Sequence, residues 1–198
     1  MVVEGIILGL IVGLIRGGLR QAWTGLARMR LRAWWIFPLL VVFQLLVYLG
    51  LQRTDWVSGA SAVFFMAIYA ALIVFLWINR GQAGFKLLLA GVCMNFLVML
   101  ANGGRMPVSL EMAELANPGA VSMLEQETTL TKHMALTEST RLPLLGDVIP
   151  VTAPYPIPQV VSLGDLVMNA GMFWFLVSLL SSARKQEQSA QVGTDASS

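Results

Sequence analysis

The chain has 198 residues, of which 57% are apolar and only 12% are charged, and its mean hydropathy is +0.72. An ordinary soluble domain carries about 25% charged residues. The composition therefore excludes a soluble single-domain enzyme and indicates a membrane protein. The net charge is +2, and the lone cysteine, Cys93, excludes an intramolecular disulfide.

Five apolar runs approach the length of about 20 residues that a helix needs to cross a bilayer. They are Val2 to Ile15 with an extension to Leu19, Trp34 to Leu51, Ser58 to Ile78, Phe85 to Ala101 and Val160 to Leu180. Trp56 and Trp77 bracket the third run, as interfacial aromatic residues do. We therefore predict an all-α, polytopic membrane protein with five transmembrane helices.

These runs divide the chain into four predicted regions. Residues 1–101 hold four spans, with a basic linker at 16–33, and residues 160–181 form the fifth span. Residues 102–159 are the one long loop between spans, and they are expected to carry structure. Residues 182–198 lack large apolar side chains apart from Val192, which predicts a disordered tail.

The loop contains signals for two short helices followed by an extended segment. Ser109 is placed to cap a helix over Leu110 to Ala116, and Asn117-Pro118 begins a second helix that we expect to reach about Ala135. Five prolines between Leu142 and Gln159 forbid a regular helix there and predict extended chain.

Basic residues predict the orientation, because cytoplasmic segments are enriched in arginine and lysine. With five spans, nine of the 13 basic residues fall on one side. We expect that side to be the cytoplasm, with the amino terminus outside, the tail inside and residues 102–159 extracytoplasmic. Five of the nine lie in the first linker, where they are expected to hold anionic lipid headgroups; they are Arg16, Arg20, Arg28, Arg30 and Arg32.

The first span carries a glycine at every fourth position. Residues four apart lie on one ridge of a helix, and a ridge without side chains lets another helix backbone approach closely. We call this set the glycine ridge: Gly5, Gly9, Gly13 and Gly17. It predicts tight helix packing, within the chain or between subunits.

Asp165 is the first candidate for function, because a carboxylate inside an apolar run is costly to insert in a membrane. Asn169 lies four residues later on the same helical face. The structural interpretation is that Asp165 accepts hydrogen bonds from the turn Asn102-Gly103-Gly104 or pairs with Arg105. A polar stripe lining a transport cavity is the alternative.

Four segments resemble an uncharacterised family of small bacterial integral membrane proteins. They are Arg16-Gly17-Gly18, Asn102 to Val108, Leu145 to Pro150 and Ser162 to Asp165, the last followed by Gly171. The resemblance extends from Met1 to about Leu180. It implies a bacterial cytoplasmic membrane protein and supplies no activity.

A second, local resemblance covers about Gly146 to Gly171. Asp147 and Asp165, 18 residues apart, are similar to the aspartate pair of bacterial lipoprotein signal peptidases, which implies an acid-base dyad that activates water. The chain departs from that family at Ser162 and Gly164, where the family has asparagine and alanine, and it lacks the upstream motif of asparagine and arginine.

The remaining features predict neither a metal site nor a cofactor. His133 has no second histidine or cysteine at ligand spacing, and the basic linker lies at a membrane interface, so no nucleic-acid partner is expected. The partners expected are the bilayer and other membrane subunits or a second copy. The leading hypothesis is a non-enzymatic accessory subunit that binds a partner through its outer loop and glycine ridge. A small transporter or lipid-handling protein and an aspartyl peptidase are the alternatives.

Overall fold

The structure, a computed structural model, describes residues 2–36, 38–39, 41–42, 45, 60–119, 121, 133–155 and 158–195. Over these residues the chain is mostly helical. The helices are α1 (Val2–Arg28), α2 (Ala60–Ile78), α3 (Phe85–Ala101), α4 (Leu110–Ala116) and α5 (Leu163–Asp195). The described part of the predicted second span is helical between residues 36 and 45. Its remainder and Trp56 lie outside the described residues.

Within the described residues, one helical stretch, Leu163–Ser181 in α5, is long and apolar enough to cross a membrane. Two shorter apolar helices cover Ala62–Ile78 and Phe85–Ala101. These are length and composition criteria only, so the predicted number of spans stays a prediction. A mostly helical chain with a membrane-capable helix is what the structure shows.

The long segment between α3 and α5 adds strands to the helices, so the described part of the chain is not purely all-α. Strand β1 (Met106–Val108) pairs in parallel with β2 (His133–Ala135), and β3 (Ile149–Val151) pairs antiparallel with β4 (Gln159–Val161). A 3₁₀ turn occupies Pro143–Leu145. Extended backbone must satisfy its amide groups by pairing when it is buried, which explains why the proline-rich segment forms short ladders.

Three predicted boundaries are corrected. The second loop helix does not reach Ala135, which lies in β2, and the rest of that prediction falls largely outside the described residues. Val160 and Val161 belong to β4, so the last helix begins at Leu163. The same helix continues to Asp195, where we predicted a disordered tail. The tail contains three alanines and three glutamines, which are good helix formers, and it has no proline.

Helix α1 is broken at Gly18, whose φ of 74° and ψ of 165° are not helical. That combination lies in a region that only glycine enters readily. The four ridge glycines precede the break, and the basic linker begins around it.

The chain forms two compact units, described here in turn. One comprises Met1–Arg32, Leu76–Leu89 and Val167–Ser198, and the other Ala33–Phe75 and Ala90–Leu166. Buried side chains of the first include Ala22, Leu76, Phe85 and Leu180. In the second, Val98, Met99 and Met106 form a core against which Phe65, Met66, Tyr69 and Leu145 pack.

Candidate functional site

The start of α5 is built as a capping box. The Ser162 hydroxyl accepts a hydrogen bond from the Asp165 amide at 3.0 Å, and the Ser162 amide donates to Asp165 Oδ2 at 3.2 Å. This reciprocal pattern satisfies amides that a helix leaves without partners at its amino end. Asp165 therefore has a local structural role that its sequence spacing to Ser162 already encodes.

Asn95 of α3 closes this box into a ring. Its Nδ2 donates to Asp165 Oδ1 at 2.9 Å, and its Oδ1 accepts from the Ser162 hydroxyl at 2.9 Å. Asn95 is 1% exposed and Ser162 is fully buried. We call Asn95, Ser162 and Asp165 the polar ring. Both carboxylate oxygens of Asp165 are occupied by donors of the chain itself.

The close approach of Asn95 to the start of α5 requires glycine at position 164. A Cβ on Gly164 would lie 2.1 Å from Asn95 Oδ1 and 2.8 Å from the Gly91 carbonyl oxygen. Real Cβ contacts are never that short, so any larger residue would displace Asn95 from the ring. Tyr69 of α2 also shares a side-chain hydrogen bond with Asn95. Helices α2, α3 and α5 thus contribute to one buried polar cluster.

Asp147, the other predicted aspartate, is fixed beside β1. Its amide donates to the Pro107 carbonyl at 2.8 Å, its carbonyl accepts from the Ser109 amide at 3.0 Å, and it forms a parallel bridge with Val108. Gly146 permits this pairing, because a Cβ there would lie 2.7 Å from the Pro107 carbonyl oxygen. The side chain of Asp147 is buried, and the whole residue is 7% exposed.

His133, at the start of β2, faces the same carboxylate. Its Nε2 lies 3.7 Å from Asp147 Oδ2, within ion-pair range when the imidazole is protonated. Sequence analysis did not place His133 beside Asp147, because the parallel pairing that aligns His133 with Met106 joins segments far apart in the chain. Within the described ranges, no group of three or more His, Cys, Asp or Glu side chains is arranged as a metal site.

Asp147 and Asp165 both interact electrostatically with Tyr69. Their bonded partners differ: Asp147 faces His133, whereas Asp165 is held by Asn95 and Ser162. An acid-base dyad needs carboxyl groups that share a proton and reach a substrate. The arrangement around Asp165 instead uses both of its oxygens for internal hydrogen bonds.

The turn after α3, predicted to hold Asp165, binds another segment. Asn102 Nδ2 donates to the Val98 and Arg141 carbonyls, both at 2.8 Å, and its Oδ1 accepts from the Arg141 amide at 3.0 Å. The expected donors to Asp165 are therefore corrected to Asn95 and Ser162. Asn102 lies about two helical turns beyond Asn95, which places its amide too far along α3 for that role.

The glycines of this turn allow its conformation. Gly103 and Gly104 have φ values of 69° and 83°, and the Gly104 amide donates to the Met99 carbonyl at 2.8 Å, which ends α3 in a left-handed cap. A Cβ on Gly104 would lie 2.8 Å from the Ala62 Cβ of α2. Arg105 follows, half-buried, and leads directly into β1.

Asn102 clamps the backbone beside an exposed apolar turn. Leu142 has a left-handed φ of 53°, which is costly for a branched side chain, and Leu144 is 81% exposed. We call residues 142–144 the leucine turn. Asn102 thus fixes the Arg141 backbone directly before two exposed leucines, of which Leu142 has a strained backbone.

The glycine ridge lies against α5 within the first unit. A Cβ on Gly9 would lie 2.9 Å from Leu176 Cβ, and one on Gly13 would lie 2.8 Å from Leu180 Cδ1. At Gly17 the obstacle is the Leu180 carbonyl oxygen itself, at 2.0 Å. The ridge therefore serves packing within the chain.

Asn169 belongs to this helix contact and not to the polar ring. Its Oδ1 would lie 2.2 Å from a Cβ on Gly5, so its side chain packs directly over the ridge. The basic residues predicted to bind headgroups are exposed along α1 and the segment that follows it; they are Arg16, Arg20, Arg28, Arg30 and Arg32.

Sequence reasoning missed the roles of four residues around the two aspartates, namely Tyr69, Asn95, His133 and Ser162. Asn95 carried a usable signal, because a strongly polar side chain inside an apolar run must find a polar partner. Ser162 carried one in the spacing of a capping box. Tyr69 and His133 depend on tertiary contacts that no local pattern indicates.

Residues 28–177 match the model of DUF5317, a family of unknown function. An uncharacterised protein of Thermotoga maritima is 35% identical over 127 residues, which cover 64% of this chain and 68% of that protein. No solved structure matches the chain. The chain belongs to the DUF5317 family, in agreement with the resemblance to an uncharacterised family. The matched region contains the polar ring and the leucine turn, and it begins after the glycine ridge.

Proposed function

We propose that this DUF5317 protein is a non-enzymatic, multi-pass protein of the bacterial cytoplasmic membrane that presents its leucine turn to a protein partner. The observation that carries the proposal is the combination of exposure and rigidity at that turn. Leu144 is 81% exposed, while the preceding Arg141 backbone is bonded on both sides by Asn102.

Membrane insertion is supported by apolar side chains that face outward on the helices. In α1, Ile15, Leu19 and Trp23 are 79%, 80% and 76% exposed. Apolar surface of this extent is unfavourable in water and favourable against lipid. With the basic bias of the predicted loops, we propose five spans, an outer amino terminus and a cytoplasmic tail.

The strained backbone of Leu142 favours a partner that has a complementary, fixed surface. A left-handed leucine costs of order 1–2 kcal/mol, and such strain persists where surrounding contacts over-determine it. Partition into a lipid surface gains nothing from a fixed turn, because lipid adapts to any apolar shape. A protein surface with a matching pocket does gain, because a preorganised turn loses little entropy on binding. We therefore assign the turn to a protein partner.

The outer loop, and not the glycine ridge, is the recognition element in this proposal. The ridge is occupied by α5, so a partner could not use it without separating the two helices. The accessory-subunit hypothesis accordingly places the partner-binding surface on residues 133–155. Asn102 supports this surface through its hydrogen bonds to Arg141.

The transporter and peptidase hypotheses receive less support from the contacts. A transport site at Asp165 and Asn169 needs side chains that face a cavity, whereas Asp165 is bonded within the polar ring and Asn169 packs over Gly5. A peptidase needs Asp165 free to exchange a proton with a substrate water. Neither alternative explains a clamped, exposed leucine turn.

Site-specific photo-crosslinking in intact cells tests the proposal. A photoreactive phenylalanine analogue replaces Leu144 in one variant and the exposed Ser139 in a matched control. We expect one discrete protein adduct from position 144 and none of that mass from position 139. Asn102→Ala should reduce the adduct from position 144, because the turn loses its clamp.

Two results would contradict the proposal. One is an adduct pattern that is the same at positions 144 and 139, which indicates random collision. The other is crosslinking at position 144 to lipid alone. If Asn102→Ala lowers the amount of protein, Leu144→Glu in a copurification of the identified adduct partner serves as the second variant.

A further inference from the structure

A cavity of about 280 Å³ lies in the first unit, between the carboxyl end of α1, the α2–α3 turn and the middle of α5. Arg28 and Arg30 line it on one side, with Thr24 and Gln82 beside them. Met29, Phe175 and Leu179 supply apolar wall. The cavity therefore combines two permanently charged guanidinium groups with an apolar wall that favours contact with hydrocarbon.

We propose that this cavity, which we call the arginine pocket, binds the phosphate group of an amphiphilic anion. Guanidinium groups present a planar fork of donors that matches phosphate oxygens in pairs. Thr24, Gln82 and Ser178, the polar residues that line the pocket with the two arginines, are uncharged among the described residues. The apolar wall accommodates the part of the ligand next to the phosphate.

The structure divides the basic linker into two groups that its sequence does not distinguish. Arg28 and Arg30 line the pocket, whereas Arg16, Arg20 and Arg32 are not among its lining residues. A delocalised attraction to anionic lipid would use all five equally, because it depends on charge near the surface. A bound phosphate uses the two that converge on one cavity.

The pocket is held in shape by contacts around its rim. Asn79 accepts a hydrogen bond from the Arg32 amide at 2.8 Å and donates to the Arg32 carbonyl at 2.9 Å, which fixes the segment after Arg30. At its floor, Gly25 brings α1 against α5, since a Cβ there would lie 2.3 Å from the Leu179 carbonyl oxygen. Phe175 packs edge-on against Phe85 with ring centroids 5.0 Å apart. A preformed pocket binds with a smaller loss of entropy.

Two sources can supply this chemistry. One is a phospholipid such as phosphatidylglycerol, whose supply rests on the membrane location in the proposed function. The other is a soluble organophosphate. The pocket itself depends on neither the leucine turn nor the orientation of the chain, so its test is independent of the crosslinking experiment.

The test uses the full chain in a neutral detergent and follows its melting temperature against ligand concentration. The probes are short-chain phosphatidylglycerol, the matching phosphatidylcholine, which has the same phosphate but no net charge, and glycerol phosphate. A ligand that binds only the folded state raises the melting temperature progressively as its concentration exceeds its dissociation constant. We expect phosphatidylglycerol to raise it and phosphatidylcholine to have little effect.

Charge-matched double variants separate the pocket from general attraction. Arg28→Gln with Arg30→Gln should weaken apparent affinity for phosphatidylglycerol by about tenfold or more. Arg16→Gln with Arg20→Gln removes the same charge outside the pocket and should change the affinity by less than about twofold. If the first pair does not fold, Arg30→Gln alone replaces it, and a clear loss of affinity is still required.

The outcomes are distinct. Stabilisation by phosphatidylglycerol alone assigns the pocket to a lipid, and equal stabilisation by glycerol phosphate assigns it to a soluble organophosphate; both support a phosphate site. Equal losses in the two double variants, equal effects of the two lipids, or no stabilisation by any probe would overturn it.

Discussion

Two regions of this chain are stabilised by different interactions. One is the contact between α1 and α5, and the other is the polar ring. Along the glycine ridge, helix backbones approach so closely that a Cβ at Gly17 would meet the Leu180 carbonyl oxygen at 2.0 Å. In the polar ring, Asn95 is bonded to both Ser162 and Asp165 at 2.9 Å. The first contact depends on the absence of side chains, and the second depends on the chemical identity of three of them.

This difference teaches how each region should respond to substitution. The ridge is sensitive to volume and indifferent to polarity, because its stability comes from close packing. The ring is sensitive to the loss of an acceptor or donor, because a buried polar group without a partner costs free energy. Substitutions that change one property alone can therefore separate the two.

The largest effect is expected at the ridge. Gly17→Leu places four carbons where the α5 backbone already lies, so it should lower the free energy of unfolding by about 3 kcal/mol or more. Gly81→Leu is the matched control, since nothing lies within 4 Å of its Cβ position, and it should cost less than about 0.5 kcal/mol. Reversible unfolding in mixed micelles measures both. Equal losses of stability in the two variants would contradict the close packing of the glycine ridge.

The second effect separates the structural and catalytic interpretations of Asp165. Asp165→Ala leaves the Asn95 amide and the Ser162 amide without their acceptor, which should cost about 2–3 kcal/mol. Asp165→Asn keeps one acceptor oxygen and should cost about half as much. The same unfolding measurement applies. Two variants of nearly unchanged stability would instead favour a carboxylate kept for chemistry.

The smallest effect concerns a helix cap in the segment between α3 and α5, separate from the polar ring. The Ser109 hydroxyl accepts from the Met112 amide at 3.3 Å and begins α4. Ser109→Ala should cost about 1 kcal/mol, whereas Ser109→Asp should keep most of the stability because aspartate caps a helix equally well. Thermal melts resolve this difference. A loss of stability as large as that of Asp165→Ala would mean that the Ser109 cap contributes as much to stability as the polar ring.

What the sequence predicted best was local. The cap at Ser109 and the bounds Leu110–Ala116 are confirmed, because capping residues and helix formers act within a few positions of one another. The uncharacterised family was also predicted from short segments. The apolar runs indicated helices correctly for α2 and α3, since the length of a continuous apolar run can be recognised without long-range information.

What it missed was either non-local or hidden by a wrong boundary. Asn95 and Asp165 are 70 positions apart, and β1 finds β2 only after an intervening helix, so no local pattern could pair them. The donors to Asp165 were predicted wrongly for a simpler reason. Starting the helix at Val160 placed Asp165 inside a span, whereas the start at Leu163 makes it the third residue of the helix, where it completes a capping box with Ser162.

The most direct test of this account is a double-mutant cycle across the polar ring. Asn95→Ala, Asp165→Ala and the double variant are compared with the unchanged chain by reversible unfolding in mixed micelles. Because the two side chains bond to each other and share Ser162, the account predicts that the combined loss differs from the sum by about 1 kcal/mol or more. Additive losses, within about 0.5 kcal/mol, would contradict the claim that Asp165 is held by this ring.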